Sequence, residues 1–276
     1  MDAELLLAEA TGWDRARLAA NPDAGVPSAA GRRFGEMVRR RLRREPVAYI
    51  LGRKRFRHIE LAVDPRVLVP RPETELLVEL ALELAPRRVL DVGTGSGAIA
   101  LAIAVELPDC EVMATDTSPA ALEVAHDNVR RLGLAERVAL VEGTLPQIAP
   151  SGVIAPSPGE PLSFDLVVAN LPYVSEEEWG SLEPEVTEWE PREALLAGPD
   201  GLDAIRALLA HRSETSSGMG GGASNWPVLN TDALGLEVGA GQAKAVRALL
   251  EEAGFDAVET RRDLAGIERV VSGCRR

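Results

Sequence analysis

Two cysteines and three histidines in 276 residues leave this sequence short of covalent staples and of the commonest metal ligands. Cys110 and Cys274 lie far apart and form no Cys-x-x-Cys pair, which excludes a disulfide framework and a cysteine zinc site and fits a reducing compartment. His58, His126 and His211 show no ligand spacing with the cysteines, so no metal is expected. No apolar run approaches the roughly 20 residues of a membrane span. The opening Met1-Asp2-Ala3-Glu4 lacks the basic segment of a secretory signal. A cytoplasmic protein without a membrane partner is the expectation. Basic residues, 30 in all, are outnumbered by 43 acidic ones. A formal net charge of −13 argues against a protein whose main ligand is a long nucleic acid, because that affinity rests on neutralised phosphates.

Hydrophobic residues make up 46% of the chain and charged residues 26%, enough apolar surface for a buried core. Charge is unevenly distributed. Between Gly31 and Arg57 stand eleven basic residues and two acidic ones, Glu36 and Glu45, whereas Glu176 to Glu193 is acidic. The basic stretch reads either as a solvated helix face or as a docking patch for an acidic or RNA-associated partner.

Residues 2 to 50 read as short helices, with Leu5, Leu6 and Leu7, a break at Asn21-Pro22-Asp23, then Phe34, Met37, Val38 and Leu42 at helical spacing. From Phe56 to Val69 the pattern alternates, with Asp64-Pro65 as a turn, which predicts a β-hairpin connector. Beyond it strands and helices alternate: strands over Arg88–Val92, Glu111–Thr115, Val138–Glu142 and Phe164–Ala169, helices over Ala98–Glu106 and Pro119–Leu132. A helix over Leu202–Ala210, a strand near Leu234–Val238, a helix over Gln242–Ala253 and two strand-like runs follow. Such alternation predicts an α/β fold with a parallel sheet. Pro150–Pro161 and Ser213–Asn225, rich in Gly, Ser and Pro, read as surface loops.

Three motifs carry chemistry. Asp91-Val92-Gly93-Thr94-Gly95-Ser96-Gly97 is a strand feeding a glycine-rich turn that opens a helix. The spacing is Gly-x-Gly-x-Gly, not the Gly-x-Gly-x-x-Gly of a dinucleotide site, and Asp91 precedes it. That combination suits a neutral or cationic ligand such as S-adenosylmethionine better than a diphosphate. Asp116 ends the next strand about twenty residues on, where an acid either accepts ribose hydroxyls or, with Ser118, caps the helix starting at Pro119. Asn170-Leu171-Pro172-Tyr173 follows an apolar strand and should face the same cleft. A planar amide or exocyclic amine is a poor nucleophile whose N–H groups can be gripped by the Asn170 side-chain oxygen and the Leu171 carbonyl. Pro172 would fix that carbonyl and Tyr173 would stack on the flat group.

Together with Glu45-Pro46-Val47-Ala48-Tyr49-Ile50-Leu51-Gly52, Arg71-Pro72-Glu73-Thr74-Glu75, Glu190-Pro191, Gly198-Pro199-Asp200-Gly201-Leu202 and Leu236-Glu237-Val238-Gly239, these motifs resemble the HemK-type release factor glutamine methyltransferases over nearly the whole chain. The resemblance implies a seven-stranded, mostly parallel class I methyltransferase sheet. It implies a helical substrate-docking domain over 1–52, a β-hairpin connector over 53–71 and a methyltransferase domain over 72–276. It implies S-adenosylmethionine as cofactor, giving S-adenosylhomocysteine, held by Asp91, Gly93, Thr94, Gly95, Ser96, Gly97, Asp116, Thr117 and Asn170. Gly143, Thr144 and Leu145 stand where the family places its adenine contact. Asn170 to Tyr173 with Arg71 and Glu73 would meet the substrate, the glutamine of the Gly-Gly-Gln loop of a class 1 release factor, with the enzyme acting as a monomer. Asn-Leu-Pro-Tyr, where the family usually has Asn-Pro-Pro-Tyr, also resembles the rRNA adenine dimethyltransferases. That gives an alternative acceptor, an adenine N6 amine in rRNA or DNA. A binding module that keeps the cofactor only as structure is a third reading, against which an intact Asn170 and Tyr173 speak.

Overall fold

The protein is described from a computed structural model covering residues 1–143, 163–213 and 230–275. Thr144 and Leu145, and the two stretches read above as loops apart from Ser213, lie outside those residues. Four helices open the chain: α1 (Asp2–Thr11), α2 (Arg15–Ala20), α3 (Ser28–Leu42) and α4 (Val47–Leu51). Asp14 caps α2 by accepting the Arg17 N–H at 2.7 Å. Gly52 ends α4 at φ 69, a left-handed conformation that a side chain would strain.

A two-stranded hairpin follows, but not where alternation placed it. Strands β1 (Arg53–Phe56) and β2 (Ile59–Ala62) pair antiparallel, so the reversal is at Arg57-His58. Asp64-Pro65 does form a turn, with the Val67 N–H donating to the Asp64 carbonyl at 3.1 Å, yet no strand follows it. Arg57 accepts a positive φ of 48 because its ends are pinned. Its N–H donates to Glu75 at 3.1 Å and its guanidinium is bidentate on Glu106 at 2.5 and 2.7 Å.

Strands β3 (Arg88–Val92), β4 (Glu111–Asp116), β5 (Val138–Glu142), β6 (Ser163–Ala169), β7 (Asn230–Glu237), β8 (Asp256–Arg262) and β9 (Glu268–Cys274) form one sheet in the order β5-β4-β3-β6-β7-β9-β8. All pairs are parallel except those of β9 with β7 and β8, so the sheet is the seven-stranded, mostly parallel one expected. The remaining helices are α5 (Glu75–Leu84), α6 (Ala98–Glu106), α7 (Pro119–Leu132), α8 (Glu176–Trp179), α9 (Pro184–Thr187), α10 (Asp203–Ser213) and α11 (Ala243–Glu252). Every residue from Ala98 to Ala104 is buried, which explains a helix apolar all round. Leu90, Leu101 and Leu166 are fully buried, each stabilising by about 1.5–3 kcal/mol. Among the described residues no helix is long and apolar enough to cross a membrane.

Much of the basic stretch is engaged within the molecule. Arg41 reaches Asp2 and Glu185, both at 2.7 Å, and Arg44 pairs with Glu183 and Glu185 at 2.7 and 2.6 Å. The Trp189 indole N–H donates to the Arg43 carbonyl at 3.2 Å. Helix α3 is thus tied to the acidic segment after β6, while the side chains of Arg32, Arg39, Arg43 and Arg55 stay exposed.

Strand order sets the position of the site. After β3 the chain moves outward to β4 and β5, then crosses back so that β6 lies on the other side of β3. Val92 pairs with Ala169, so the segments leaving these two strands emerge side by side. A doubly wound sheet opens its ligand crevice at such a switch point.

Candidate active site

The glycine turn is built almost entirely from internal bonds. Gly93, Gly95 and Gly97 take φ of 74, 56 and 84, which only glycine adopts freely. The N–H groups of Gly93 and Thr94 both donate to the Thr115 carbonyl at 2.9 Å, that of Gly97 to Thr94 at 2.8 Å, and that of Gly95 to Asp116 Oδ2 at 2.8 Å. A phosphate cradle needs those donors free. Here they are taken, and the charges nearby are acidic, which favours a neutral or cationic ligand. A Cβ on Gly93 would lie 3.4 Å from the Leu171 side chain, which shows how closely the two motifs approach.

Asp91 and Asp116 support this turn from two sides. Asp91 is fully buried and its Oδ2 accepts from the Thr94 hydroxyl at 2.7 Å and the Ala100 N–H at 3.1 Å. Its Oδ1 has no hydrogen-bond partner. Burial pushes its carboxyl up to about 7 against those two bonds, with a further push from Asp116. Asp116 is half-buried. Besides holding Gly95 it accepts the Ser118 N–H at 2.9 Å, while Ser118 caps α7 through Ala121 at 3.2 Å. Capping by Ser118 therefore leaves Asp116 with lone pairs for a ligand.

These elements surround a cavity of about 310 Å³. Gly93, Thr94, Gly95, Ser96, Asp116, Thr117 and Gly143 line one part of it, and Arg71, Asn170, Leu171 and Pro172 another. Asp91, Gly97, Glu73 and Tyr173, also singled out in the sequence, are not on its wall. Asp91 sits behind the turn. Gly97 begins α6, where a Cβ would press on the Leu101 side chain at 2.8 Å. Tyr173 is largely buried, its carbonyl accepting from Gln242 at 2.9 Å. Its hydroxyl is pushed well above the ordinary tyrosine range by burial and then by Glu237.

Asn170, on the cavity wall, is held by its amide nitrogen, which donates to the Thr74 hydroxyl oxygen at 3.1 Å, and its Oδ1 takes no hydrogen bond from the described residues. Arg71 is paired with Glu190 at 2.5 Å, and the buried Glu190 also accepts the Val69 N–H at 3.1 Å. The Tyr49 hydroxyl donates to the Val67 carbonyl at 2.6 Å. The connector is thereby held over the cavity from the helical side by Tyr49 and from the far side by Glu190.

Sequence reasoning passed over Thr74 as a partner of Asn170, and over Asn128. Asn128, 1% exposed, accepts the Ala62 N–H at 2.7 Å and donates to the carbonyls of Ala62 at 3.0 Å and Ser96 at 2.9 Å, joining the hairpin to the glycine turn. It also missed the wall supplied by Ala204, Ala207 and Leu208 of α10. No local pattern marks these residues, since their partners are distant in sequence.

A doubly wound seven-stranded sheet with this glycine turn at its switch point defines a methyltransferase of class I. A family described as "Methyltransferase domain" matches residues 89–189, and "PrmC N-terminal domain" matches residues 1–52. The catalytic domain of human METTL16, solved with an RNA hairpin, superposes with a TM-score of 0.56 over 78% of this chain and 74% of that one, at 15% identity, a likeness of fold alone. A release factor glutamine methyltransferase from Burkholderia pseudomallei is 43% identical over 99% of this chain and 91% of its own length. That of Bordetella pertussis is 40% identical over 99% and 94%. The chain belongs to the release factor glutamine methyltransferase family.

Proposed function

We propose that the chain transfers a methyl group from S-adenosylmethionine to the side-chain amide nitrogen (N5) of the glutamine in the Gly-Gly-Gln motif of a class 1 release factor. One observation carries the acceptor side: Asn170 gives its amide nitrogen to Thr74, keeps Oδ1 free of hydrogen bonds among the described residues, and lines the cavity beside the glycine turn. The cofactor fits what is present. The turn offers no free row of N–H groups for phosphates, Asp116 retains lone pairs, and the orphaned oxygen of Asp91 lies behind the turn. When bound, S-adenosylmethionine supplies an electrophilic methyl carbon on a sulfonium.

The residues of the chain then position the acceptor. Asn170 Oδ1 and the Leu171 carbonyl accept the two N–H groups of the glutamine amide, fixing the nitrogen's direction. Pro172 restricts the backbone that carries the Leu171 carbonyl. Tyr173 anchors the loop from behind, and Arg71, held by Glu190, borders the opening. Positioning of this kind supplies effective molarities of about 10⁵ M or more. The acceptor nitrogen gains the methyl and gives up one of its two protons to solvent, and S-adenosylhomocysteine is left. Residues 1–52 serve as the docking domain, joined to the catalytic part through Arg41 and Arg44. The names of the relatives favour the protein acceptor over an adenine.

The test offers release factor and ribosomal RNA together to the purified chain with methyl-labelled cofactor. Label in the protein supports the proposal; label in the RNA alone overturns it.

A further inference from the structure

Gln242, the residue before α11, takes no part in the proposed chemistry, yet it ties together the segments that leave β6, lead into α10 and leave β7. Its Nε2 donates to the Tyr173 carbonyl at 2.9 Å and to the Asp200 carbonyl at 3.3 Å, and its Oε1 accepts the Gly239 N–H at 2.8 Å. Both ends of the amide are in use. Its orientation is fixed by chemistry, because two carbonyls need donors and one N–H needs an acceptor. Gln242 is itself held in place: its N–H donates to the Gly239 carbonyl at 3.1 Å, its carbonyl accepts from Val246 at 3.1 Å, and the following Ala243 is buried. Two glycines make room for it. A Cβ on Gly201 would come within 2.7 Å of Gln242 Nε2, and one on Gly239 within 2.8 Å of Gln242 Oε1 and 3.2 Å of the Tyr173 ring.

The stretch that Gln242 grips carries the Leu171 carbonyl. On one side of it the Asn170 side chain is bonded to Thr74, and on the other Val174 exchanges hydrogen bonds with Leu195 at 2.8 Å and Ala197 at 3.0 Å. Between those anchors, the main chain of Leu171, Pro172 and Tyr173 takes a single hydrogen bond from the described residues, and Gln242 supplies it. Pro172 has a restricted φ, so fixing the peptide after Tyr173 limits the directions open to the carbonyl of Leu171. We propose that Gln242 is a positioning residue for methyl transfer: by clamping the Tyr173 carbonyl it sets the direction of the Leu171 carbonyl that receives an N–H of the acceptor amide. This rests on the acceptor reading above.

Two substitutions test it. Gln242→Glu keeps the size and the acceptor for Gly239 but sets a carboxylate oxygen against two carbonyls, while Gln242→Met keeps the length and removes every hydrogen bond. Misplacing a positioning group by about 1 Å costs up to about 100-fold, so kcat on the release factor should fall about tenfold to 100-fold in both variants, with KM for the factor and the affinity for S-adenosylhomocysteine within about threefold. A general loss of structure would lower all three together. The chain has two tyrosines, and only Tyr173 precedes a valine, so labelling tyrosine carbonyl carbons and valine amide nitrogens isolates the Tyr173–Val174 peptide. Its carbonyl resonance should move upfield in both variants as the donor is lost. Wild-type kcat in both variants, a fall in S-adenosylhomocysteine affinity as large as that in kcat, or an unmoved Tyr173 carbonyl would each overturn the proposal. Should Gln242→Glu not fold, Gln242→Met decides by the same readings. A wild-type chain inactive on the factor sinks the acceptor assignment instead, and the Tyr173 resonance still decides whether the clamp exists.

Discussion

Asn170 and Thr74, 96 positions apart in the sequence, meet at 3.1 Å with the asparagine nitrogen as donor and the threonine oxygen as acceptor. The bond takes up the Asn170 nitrogen and leaves Oδ1 without a hydrogen-bond partner among the described residues, available to a group that donates. Asn170→Ala should therefore lower kcat by about 100-fold or more, the range seen when an oriented polar group is removed from a reacting centre. Calorimetric binding of S-adenosylhomocysteine should change little.

Asp116 holds Gly95 with one oxygen and Ser118 with the other. Asp116→Ala should weaken cofactor affinity by about tenfold to a hundredfold, corresponding to about 1.4–2.8 kcal/mol. At saturating cofactor kcat should be largely kept. A loss confined to kcat would mean that Asp116 does not meet the cofactor.

The helical and strand pattern was legible in most of the catalytic part. Ala98–Glu106 and Pro119–Leu132 stand as periodicity placed them, because an all-apolar run and a Ser-Pro start are local properties. The hairpin was not, since Arg57 reverses the chain through ion pairs to Glu106 that no dipeptide pattern announces. Helix α5 went unassigned, sitting between two motifs read for their chemistry. At the site, Asn170 was legible from its motif, but Thr74 and Asn128 matter through partners distant in sequence that only the fold brings close.

The raised carboxyl of Asp91 gives a linkage whose sign is fixed. Its value goes from 3.8 to about 7 on folding, so the native state binds the extra proton. Stability from this group is present below the unfolded value and lost as pH rises towards 7. Asp91→Asn should flatten the pH dependence of the melting temperature between about 4 and 7. If the dependence is unchanged, Asp91 is ionised throughout that window.

The same group predicts proton release on cofactor binding. A cation bound beside the glycine turn favours the Asp91 carboxylate. At pH 7, titrations in buffers of different ionisation enthalpy should show a fraction of a proton released, and Asp91→Asn should abolish it.

Gly201 has a φ of 73, and a Cβ there would collide with the Tyr173 carbonyl oxygen. Gly201→Ala should cost about 1–3 kcal/mol of stability and displace the Asn170 loop, lowering kcat along with the melting temperature. Unchanged melting would show that the loop can move aside.

The most direct measurement is transfer of labelled methyl from S-adenosylmethionine to a purified class 1 release factor, beside the same factor with its Gly-Gly-Gln glutamine changed to alanine. Label in the first and none in the second is the predicted result. Equal label in both, or none in either while S-adenosylhomocysteine binds, would contradict an Asn170 site that holds a glutamine amide.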